Sequence, residues 1–218
     1  MSHTLHRTGS YESLSHDFVM LCLAAKGFNR KGTNDKGYDH IPAYRKFLET
    51  GKANHAINLS DGKFGSLLIH DYDWIHENCK TVVHALFDSE ENTAEMLKQL
   101  NEAEIGISVV MSGLYDKLFA CCRHAHLQPH GLTQSLGVIG RVDELPDEKP
   151  MELTTMCGHA QVSVGMVNRV LCKIKKGEMT PEEAGLELAM PCTCGVFNFE
   201  RAAKLLEEYC ALYTLSDE

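Results

Sequence analysis

Short apolar runs alternate with helix-like segments along the first two thirds of the chain. The runs at 81–87 (TVVHALF) and 105–111 (IGISVVM) are rich in β-branched residues, which favour strands, and a shorter run at 136–139 (LGVI) predicts another strand. Between these runs, segments 88–100 and 114–125 repeat apolar residues at helical spacing. The resulting order, strand–helix–strand–helix–strand, is typical of a parallel or mixed sheet flanked by helices.

The preceding part of the chain carries shorter signals of the same kind. An apolar run at 17–25 is followed by a loop at 27–37 that is rich in Gly, Asn and charged residues. Segment 41–50 predicts a helix, and segment 65–69 predicts a strand. Together these patterns predict an N-terminal α/β domain over residues 1–142.

The pattern changes after this domain. Residues 141–150 (RVDELPDEKP) are charged, carry two prolines and lack apolar periodicity, so we place a linker at 143–150. Beyond the linker, residues 180–183 (TPEE) are typical of a helix start, and a last helix begins near Asn198. An earlier helix is predicted by apolar residues at i, i+3, i+4 and i+7, namely Val167, Val170, Leu171 and Ile174. These signals predict a small all-helical domain over 151–218.

Charge argues against one class of partner, and the distribution of apolar residues argues against another. The 218 residues include 21 Lys and Arg against 30 Asp and Glu, giving a net charge of −9. Such a surface repels a phosphate backbone, so we expect no nucleic-acid partner. The sequence has no apolar run long enough to cross a membrane and no secretory pattern at its start, which predicts a cytoplasmic protein without a membrane partner.

Cysteine is the unusual feature of the composition. There are nine cysteines, an odd number, together with twelve histidines. In a reducing compartment a disulfide framework is not expected, which raises the expectation of a metal or iron–sulfur site. Five cysteines fall on apolar strands or helix faces and are predicted to be packing residues: Cys22, Cys121, Cys122, Cys172 and Cys210.

Two short cysteine motifs in the last third carry the candidate chemistry. Cys157-Gly158-His159 and Cys192-Thr193-Cys194 each place two metal-binding side chains one residue apart on a glycine-containing loop next to a predicted helix start. The N–H groups at a helix start favour thiolates. We therefore predict Cys157, Cys192 and Cys194 as ligands, His159 as a fourth ligand or hydrogen-bond donor, and Cys172 as a further candidate.

The region 155–213 resembles the small iron–sulfur domain of bacterioferritin-associated ferredoxin, in which a helical hairpin separates a C-x-C pair from a C-x-x-C pair. The resemblance implies a cluster held by these motifs. The sequence departs from that pattern by having His159 at the second ligand position and a C-x-C spacing at Cys192 and Cys194. A [2Fe–2S] cluster with a histidine ligand, a [4Fe–4S] cluster on three cysteines with one open iron, and a zinc ion all fit these motifs.

Three hypotheses about function remain open at this point. The first is an iron–sulfur protein acting in redox chemistry, sensing or catalysis at an open iron, with a redox partner or a small-molecule ligand. The second is a zinc-stabilised binding or regulatory module without redox activity. The third is an α/β enzyme that uses the acid–base groups of the loop at 70–76 (HDYDWIH). Whether the protein is an enzyme, and whether it forms a homo-oligomer, the sequence leaves open.

Overall fold

The computed structural model describes residues 4–33 and 37–212. The chain divides into two compact units. One, the sheet unit, comprises residues 15–131 together with the tetrapeptide 193–196; the other, the helical unit, comprises 1–14, 132–192 and 197–218.

The sheet unit is built on a five-stranded sheet. Its strands are β1 (Phe18–Cys22), β2 (Asn58–Asp61), β3 (Gly65–Ser66), β4 (Val83–Phe87) and β5 (Val109–Ser112), in the order β3-β2-β4-β1-β5. Its helices are α2 (Ile41–Ala53), α3 (Tyr72–Asn78), α4 (Glu90–Glu102) and α5 (Tyr115–His124). Each pairing in this sheet is antiparallel.

The prediction of α/β content is confirmed, but the prediction of a parallel or mixed sheet is wrong. β1 and β2 are joined through α2 and both run antiparallel to β4, which lies between them. In the same way, β4 and β5 are joined through α4 with β1 inserted between them. The sheet therefore contains two split β-α-β motifs that interleave. Strands that run in the same direction are never neighbours.

Alternation along the strands divides the two faces of the sheet. Phe18, Met20 and Cys22 of β1 and the odd-numbered residues 83–87 of β4 join side chains of α2 and α4 in one apolar core. The core side chains of the two helices include Tyr44, Phe47, Leu48, Met96 and Leu97. The predicted helix at 41–50 is confirmed as α2, and the predicted strands at 81–87 and 105–111 correspond to β4 and β5.

The predicted strand at 136–139 is wrong. These residues form no regular element, and Leu136 and Ile139 are each 85% exposed. The physical reason lies in two glycines, one within the run and one directly after it, because Gly137 and Gly140 adopt φ values of 88° and 115° that interrupt an extended strand. The strand predicted at 65–69 is likewise reduced to the two residues of β3.

The helical unit contains α1 (Tyr11–Leu14), α6 (Glu148–Thr154), α7 (Val164–Lys175), α8 (Pro181–Ala189) and α9 (Phe199–Leu212), with a 3-10 turn at Val142–Glu144. The predicted helix start at 180–183 is confirmed, since Thr180 and Glu183 form a capping box on α8, and Ser163 caps α7. Gly185 allows α8 to lie close to α9, since a Cβ there would collide with the Phe199 carbonyl oxygen. The segment 143–150 predicted as a linker contains the start of α6.

The N-terminal segment is fastened within the helical unit by two arginines. The buried guanidinium of Arg201 donates to Ser13 Oγ at 2.8 Å and to the Thr8 carbonyl at 2.7 Å. Arg7 donates to the carbonyl of Met156 at 3.2 Å. The segment is thereby attached both to α9 and to the residue that precedes Cys157. None of the helices in the described part of the chain is long and apolar enough to cross a bilayer.

Candidate functional site

The Cys157 loop connects α6 to α7 and directs backbone N–H groups at its own sulfur. The N–H of Ala160 donates to the Cys157 carbonyl at 3.0 Å, and Ala160 has a φ of 56°, in the left-handed region. With the loop turned in this way, the N–H groups of His159 and Gln161 donate hydrogen bonds to the Cys157 sulfur. Such donors stabilise sulfur in its thiolate form.

Cys192 brings a second thiol to this loop. It follows α8, and its N–H donates to the Ala189 carbonyl at 3.0 Å. The Cys192 side chain is hydrogen-bonded to Cys157, and both residues are buried. The two cysteines, 35 positions apart in the sequence, therefore meet inside the helical unit.

The protonation of this pair follows from its surroundings. The hydrogen bond with Cys192, and then burial, raise the pKa of Cys157 far above its usual value, and they outweigh the two N–H donors that act in the opposite direction. Cys157 is therefore a neutral thiol at pH 7, and a metal ion that binds it must displace its proton.

Cys194 lies on a loop that belongs to the sheet unit. Its carbonyl accepts a hydrogen bond of 2.6 Å from Ser60 Oγ, and the next carbonyl, of Gly195, accepts one of 2.9 Å from Asn58 Nδ2. Gly195 has a φ of 67°, and a Cβ at this position would lie 2.7 Å from Ser60 Cβ and 2.8 Å from Ser66 Cβ. Only glycine fits so close to β2 and β3, which fixes the backbone of Cys194 while its side chain is buried.

A polar patch on the sheet, which was not among the predicted site residues, binds this loop. Asn58, Ser60 and His84 are buried, and Ser60 Oγ lies 3.4 Å from His84 Nδ1. They alternate along β2 and β4 with Leu59 and Ala85, which face the apolar core. The signal was present, because a polar residue at every second position within a buried strand indicates a second, polar buried face.

Asp61, the last residue of β2, is a buried carboxylate with a full set of donors. Its Oδ2 accepts the N–H groups of Lys80 at 2.8 Å and Thr81 at 2.9 Å, and its Oδ1 accepts Thr81 Oγ1 at 2.6 Å and the N–H of Lys63 at 3.0 Å. Burial acts to raise the pKa of Asp61, but these donors outweigh it, so the pKa lies below its ordinary value. Asp61 is therefore ionised and holds the start of β4 against β2.

The structure brings together two of the four predicted ligands. Cys157 and Cys192 are in contact, and His159 contributes its backbone N–H to Cys157 while its side chain is exposed. Within the described part of the chain, no three His, Cys, Asp or Glu side chains lie close enough together to hold a metal ion. A metal centre at this pair would thus require further ligands beside Cys157 and Cys192.

The remaining cysteines fall into distinct environments. Cys22 and Cys121 are in the core of the sheet unit, as predicted, and Cys79, for which no prediction was made, is also in this core. Cys122 and Cys210 are half-buried. The prediction that Cys172 packs in the interior is wrong: it lies on the exposed side of α7, because the buried side of this helix is set by Val167 and Val170.

The acid–base groups predicted at 70–76 serve the start of α3. Asp71 Oδ1 accepts the N–H of Trp74 at 2.8 Å and so caps the helix. The His70 ring stacks on Trp74 with the centroids 3.7 Å apart, and His76 Nε2 lies 3.0 Å from Glu49 Oε1. Each of His70, Asp71 and His76 therefore has a contact that supports α3 or its packing.

Comparison with known proteins gives no family: no protein-family model, no curated protein and no solved structure matches this chain. The function is therefore argued from the geometry of its own residues.

Proposed function

We propose that this chain is a metal–thiolate protein of a reducing compartment, and that Cys157 and Cys192 are the nucleus of an iron–sulfur centre. The observation that carries the proposal is the meeting of these two buried thiols in a loop whose N–H groups, from His159 and Gln161, are directed at sulfur. Hydrogen bonds to sulfur and exclusion of solvent are the means by which a protein sets the properties of such a centre.

The further ligands are Cys194 and His159. Cys194 follows Cys192 by two residues, so covalent geometry keeps their α-carbons within about 7 Å of each other, and the same holds for His159 and Cys157. For His159 to reach a metal at this pair, the Cys157 loop must adjust, and for Cys194 to reach it, the backbone that the hydrogen bonds from Ser60 and Asn58 hold must shift. The resemblance of 155–213 to the iron–sulfur domain of bacterioferritin-associated ferredoxin supports the same set.

The side chains of the proposed set, three thiols and one imidazole, are of the types that bind iron and zinc. Thiolate and imidazole are the ligands of iron–sulfur irons and of zinc. A bound cluster would supply one-electron chemistry or, with only three cysteine ligands, a Lewis-acidic iron. The protein would contribute the thiols, the N–H donors of the Cys157 loop and the burial that excludes water.

A structural zinc site is the second candidate, and one observation favours it. Cys157, Cys192 and Cys194 are each 2–3% exposed. Structural zinc sites are closed in this way, whereas a catalytic centre keeps a position open to substrate. In this case the protein would be a binding or regulatory module.

The deciding experiment is metal analysis of protein purified without oxygen. Iron with an equal amount of acid-labile sulfide, and visible absorption, would support the iron–sulfur centre, whereas stoichiometric zinc alone would support the structural site. We expect Cys157→Ser and Cys192→Ser to lose the bound metal and Cys172→Ser, an exposed cysteine of the same unit, to retain it. Protein that is folded but takes up neither iron–sulfur nor zinc would refute both candidates.

Two further variants test the ligand set. We expect Cys194→Ser to lose the centre as completely as Cys157→Ser does. His159→Ala should lose the metal centre if the imidazole is a ligand. Full metal content with a changed absorption or EPR spectrum would instead show that His159 is a hydrogen-bond donor outside the ligand set. Full metal content and an unchanged spectrum in Cys194→Ser would remove Cys194 from the set.

A further inference from the structure

We propose that the sheet unit binds a small molecule through a flat heteroaromatic ring that carries an N–H donor, the chemistry of an aminopurine or aminopyrimidine base. The site is a cavity of about 520 Å³ beside the loop that follows β1. Its walls include Phe28, Tyr38, Asp39, Ile105 and Ile107. The volume falls within the range of about 300–1,000 Å³ that small-molecule sites occupy.

The two walls of this cavity are tied to each other by Asn29. Its Nδ2 donates to the carbonyl of Gly106 at 3.1 Å, and its Oδ1 accepts the N–H of Ala25 at 2.8 Å. The loop after β1 is thus held against the segment that leads into β5. Because these bonds lie within the protein, the cavity does not depend on a ligand for its form.

Aromatic surface at the cavity selects a flat ring. Phe28 is 76% exposed and Tyr38 is 56% exposed, although both line the cavity. Exposed aromatic rings beside a concave apolar wall of Ile105 and Ile107 are suited to stacking, and every nucleobase offers a π-face for it. A flat ring bound against these side chains would remove part of their apolar surface from water.

Asp39 selects a donor on that ring. Its Oδ2 accepts Lys31 Nζ at 2.6 Å and its Oδ1 accepts the N–H of Ile41 at 3.0 Å. The hydrogen bond from Lys31 lowers the pKa of Asp39, so the carboxylate is ionised and can only accept. A carboxylate has about four acceptor positions, and two of them remain for a ligand N–H.

His40 holds the Asp39 segment through both of its ring nitrogens. Its Nδ1 accepts the N–H of Lys31 at 3.1 Å, and its Nε2 therefore carries the proton and donates to the Lys80 carbonyl at 3.2 Å. With both ring nitrogens engaged, His40 positions Asp39 at the cavity wall.

The test is titration of the full chain with three nucleosides, followed by NMR or calorimetry. Adenosine and cytidine present an exocyclic amino group, and N6,N6-dimethyladenosine presents the adenine ring without its N–H donors. We expect saturable binding of adenosine or cytidine with a Kd below about 1 mM and at least tenfold weaker binding of the dimethyl compound. Phe28→Ala and Tyr38→Ala should weaken binding by about tenfold. Tyr115→Ala, which removes an exposed ring from α5 of the same unit, should not change it.

The result that would overturn the site is the absence of saturable binding by all three nucleosides, or binding that Phe28→Ala leaves unchanged. Equal binding of adenosine and its dimethyl analogue would overturn the assignment of an N–H donor. Asp39→Asn adds an independent check, since it should reduce the preference for adenosine over the dimethyl compound. Unchanged unfolding midpoints would show that the variants fold.

Discussion

Asp61 of the sheet unit and Cys157 of the helical unit are both buried ionisable side chains that accept backbone N–H groups, yet they end in opposite states. The donors to Asp61 outweigh the effect of burial and lower its pKa, whereas the Cys192 hydrogen bond and burial outweigh the two donors to Cys157 and raise its pKa. The donors that keep Asp61 ionised all lie within the sheet unit. Cys157 accepts the N–H groups of His159 and Gln161, but these two donors are not sufficient to ionise its thiol.

The core cysteines of the sheet unit supply the reference for this comparison. Burial raises the pKa of Cys22 to about 12, of Cys79 to about 11 and of Cys121 to about 12. In each of them burial is the largest cause, and they lie among the apolar residues of the core. Burial alone therefore does not distinguish a packing cysteine from a functional one; the second thiol and the N–H donors at Cys157 do.

The largest effect should appear in metal binding. Titration of reduced, metal-free protein with Co²⁺ should give thiolate absorption bands, and Cys192→Ser should weaken binding by more than the about 10–100-fold that loss of an outer partner costs. Cys121→Ser is the matched control, since it changes a buried cysteine that has an apolar role. Equal losses in the two variants would contradict the distinction drawn between the two cysteine environments.

The next largest effect should be on the stability of the sheet unit. Asp61→Asn replaces a carboxylate oxygen that accepts the Lys80 and Thr81 N–H groups, and it should lower the free energy of unfolding by about 3 kcal/mol. Urea denaturation measures this loss. Asp73→Asn, at an exposed position of α3, should change stability by less than about 0.5 kcal/mol.

The dependence of stability on pH follows from the same carboxylate. The pKa of Asp61 is lower in the folded protein than in the unfolded chain, so its contribution is fully present above the ordinary Asp value of about 3.9 and is lost as pH falls through the folded pKa. Between pH 6 and pH 3 the Asp61→Asn variant should therefore lose less stability than the parent. Parallel curves for the two proteins would show that Asp61 is not held as an anion.

The smallest effect should come from the loop that carries Cys194. Ser60→Ala removes the donor to the Cys194 carbonyl, which should cost about 0.5–1.5 kcal/mol and raise the rate of Cys194 alkylation by about two- to tenfold. Mass spectrometry of labelled peptides measures the rate. Labelling of Cys121 should stay constant, and Ser108→Ala, an exposed serine, should leave both rates unchanged.

Local features of the fold could be predicted from the sequence, whereas strand pairing could not. The caps at Ser163 and Thr180 and the helix α2 follow from residues near one another in the chain. The position of β1 between β4 and β5 does not, because apolar periodicity says which segments are strands but not which strands are neighbours. The apolar residues of the run at 136–139 predict a strand, but Gly137 and Gly140 turn the backbone away from an extended conformation.

For the candidate site too, local features could be predicted from the sequence, whereas contacts between distant segments could not. Loop placement and glycine context singled out Cys157, Cys192 and Cys194, and the first two of these thiols meet. The attachment of the Cys194 loop to Asn58 and Ser60 spans more than 130 residues, and it is made by backbone carbonyls that any sequence would offer. Only the polar residues at alternate positions of β2 indicated that something polar would bind there.

The tetrapeptide 193–196 has a consequence for how the protein is made. Because this short stretch returns to the sheet unit from between α8 and α9, the ribosome completes β5 more than 80 residues before it delivers the groups that accept from Asn58 and Ser60. During that interval the polar face of the sheet has to be hydrated or covered by another molecule. Truncation of the gene after residue 131, where the continuous part of the sheet unit ends, would leave this face without its tetrapeptide.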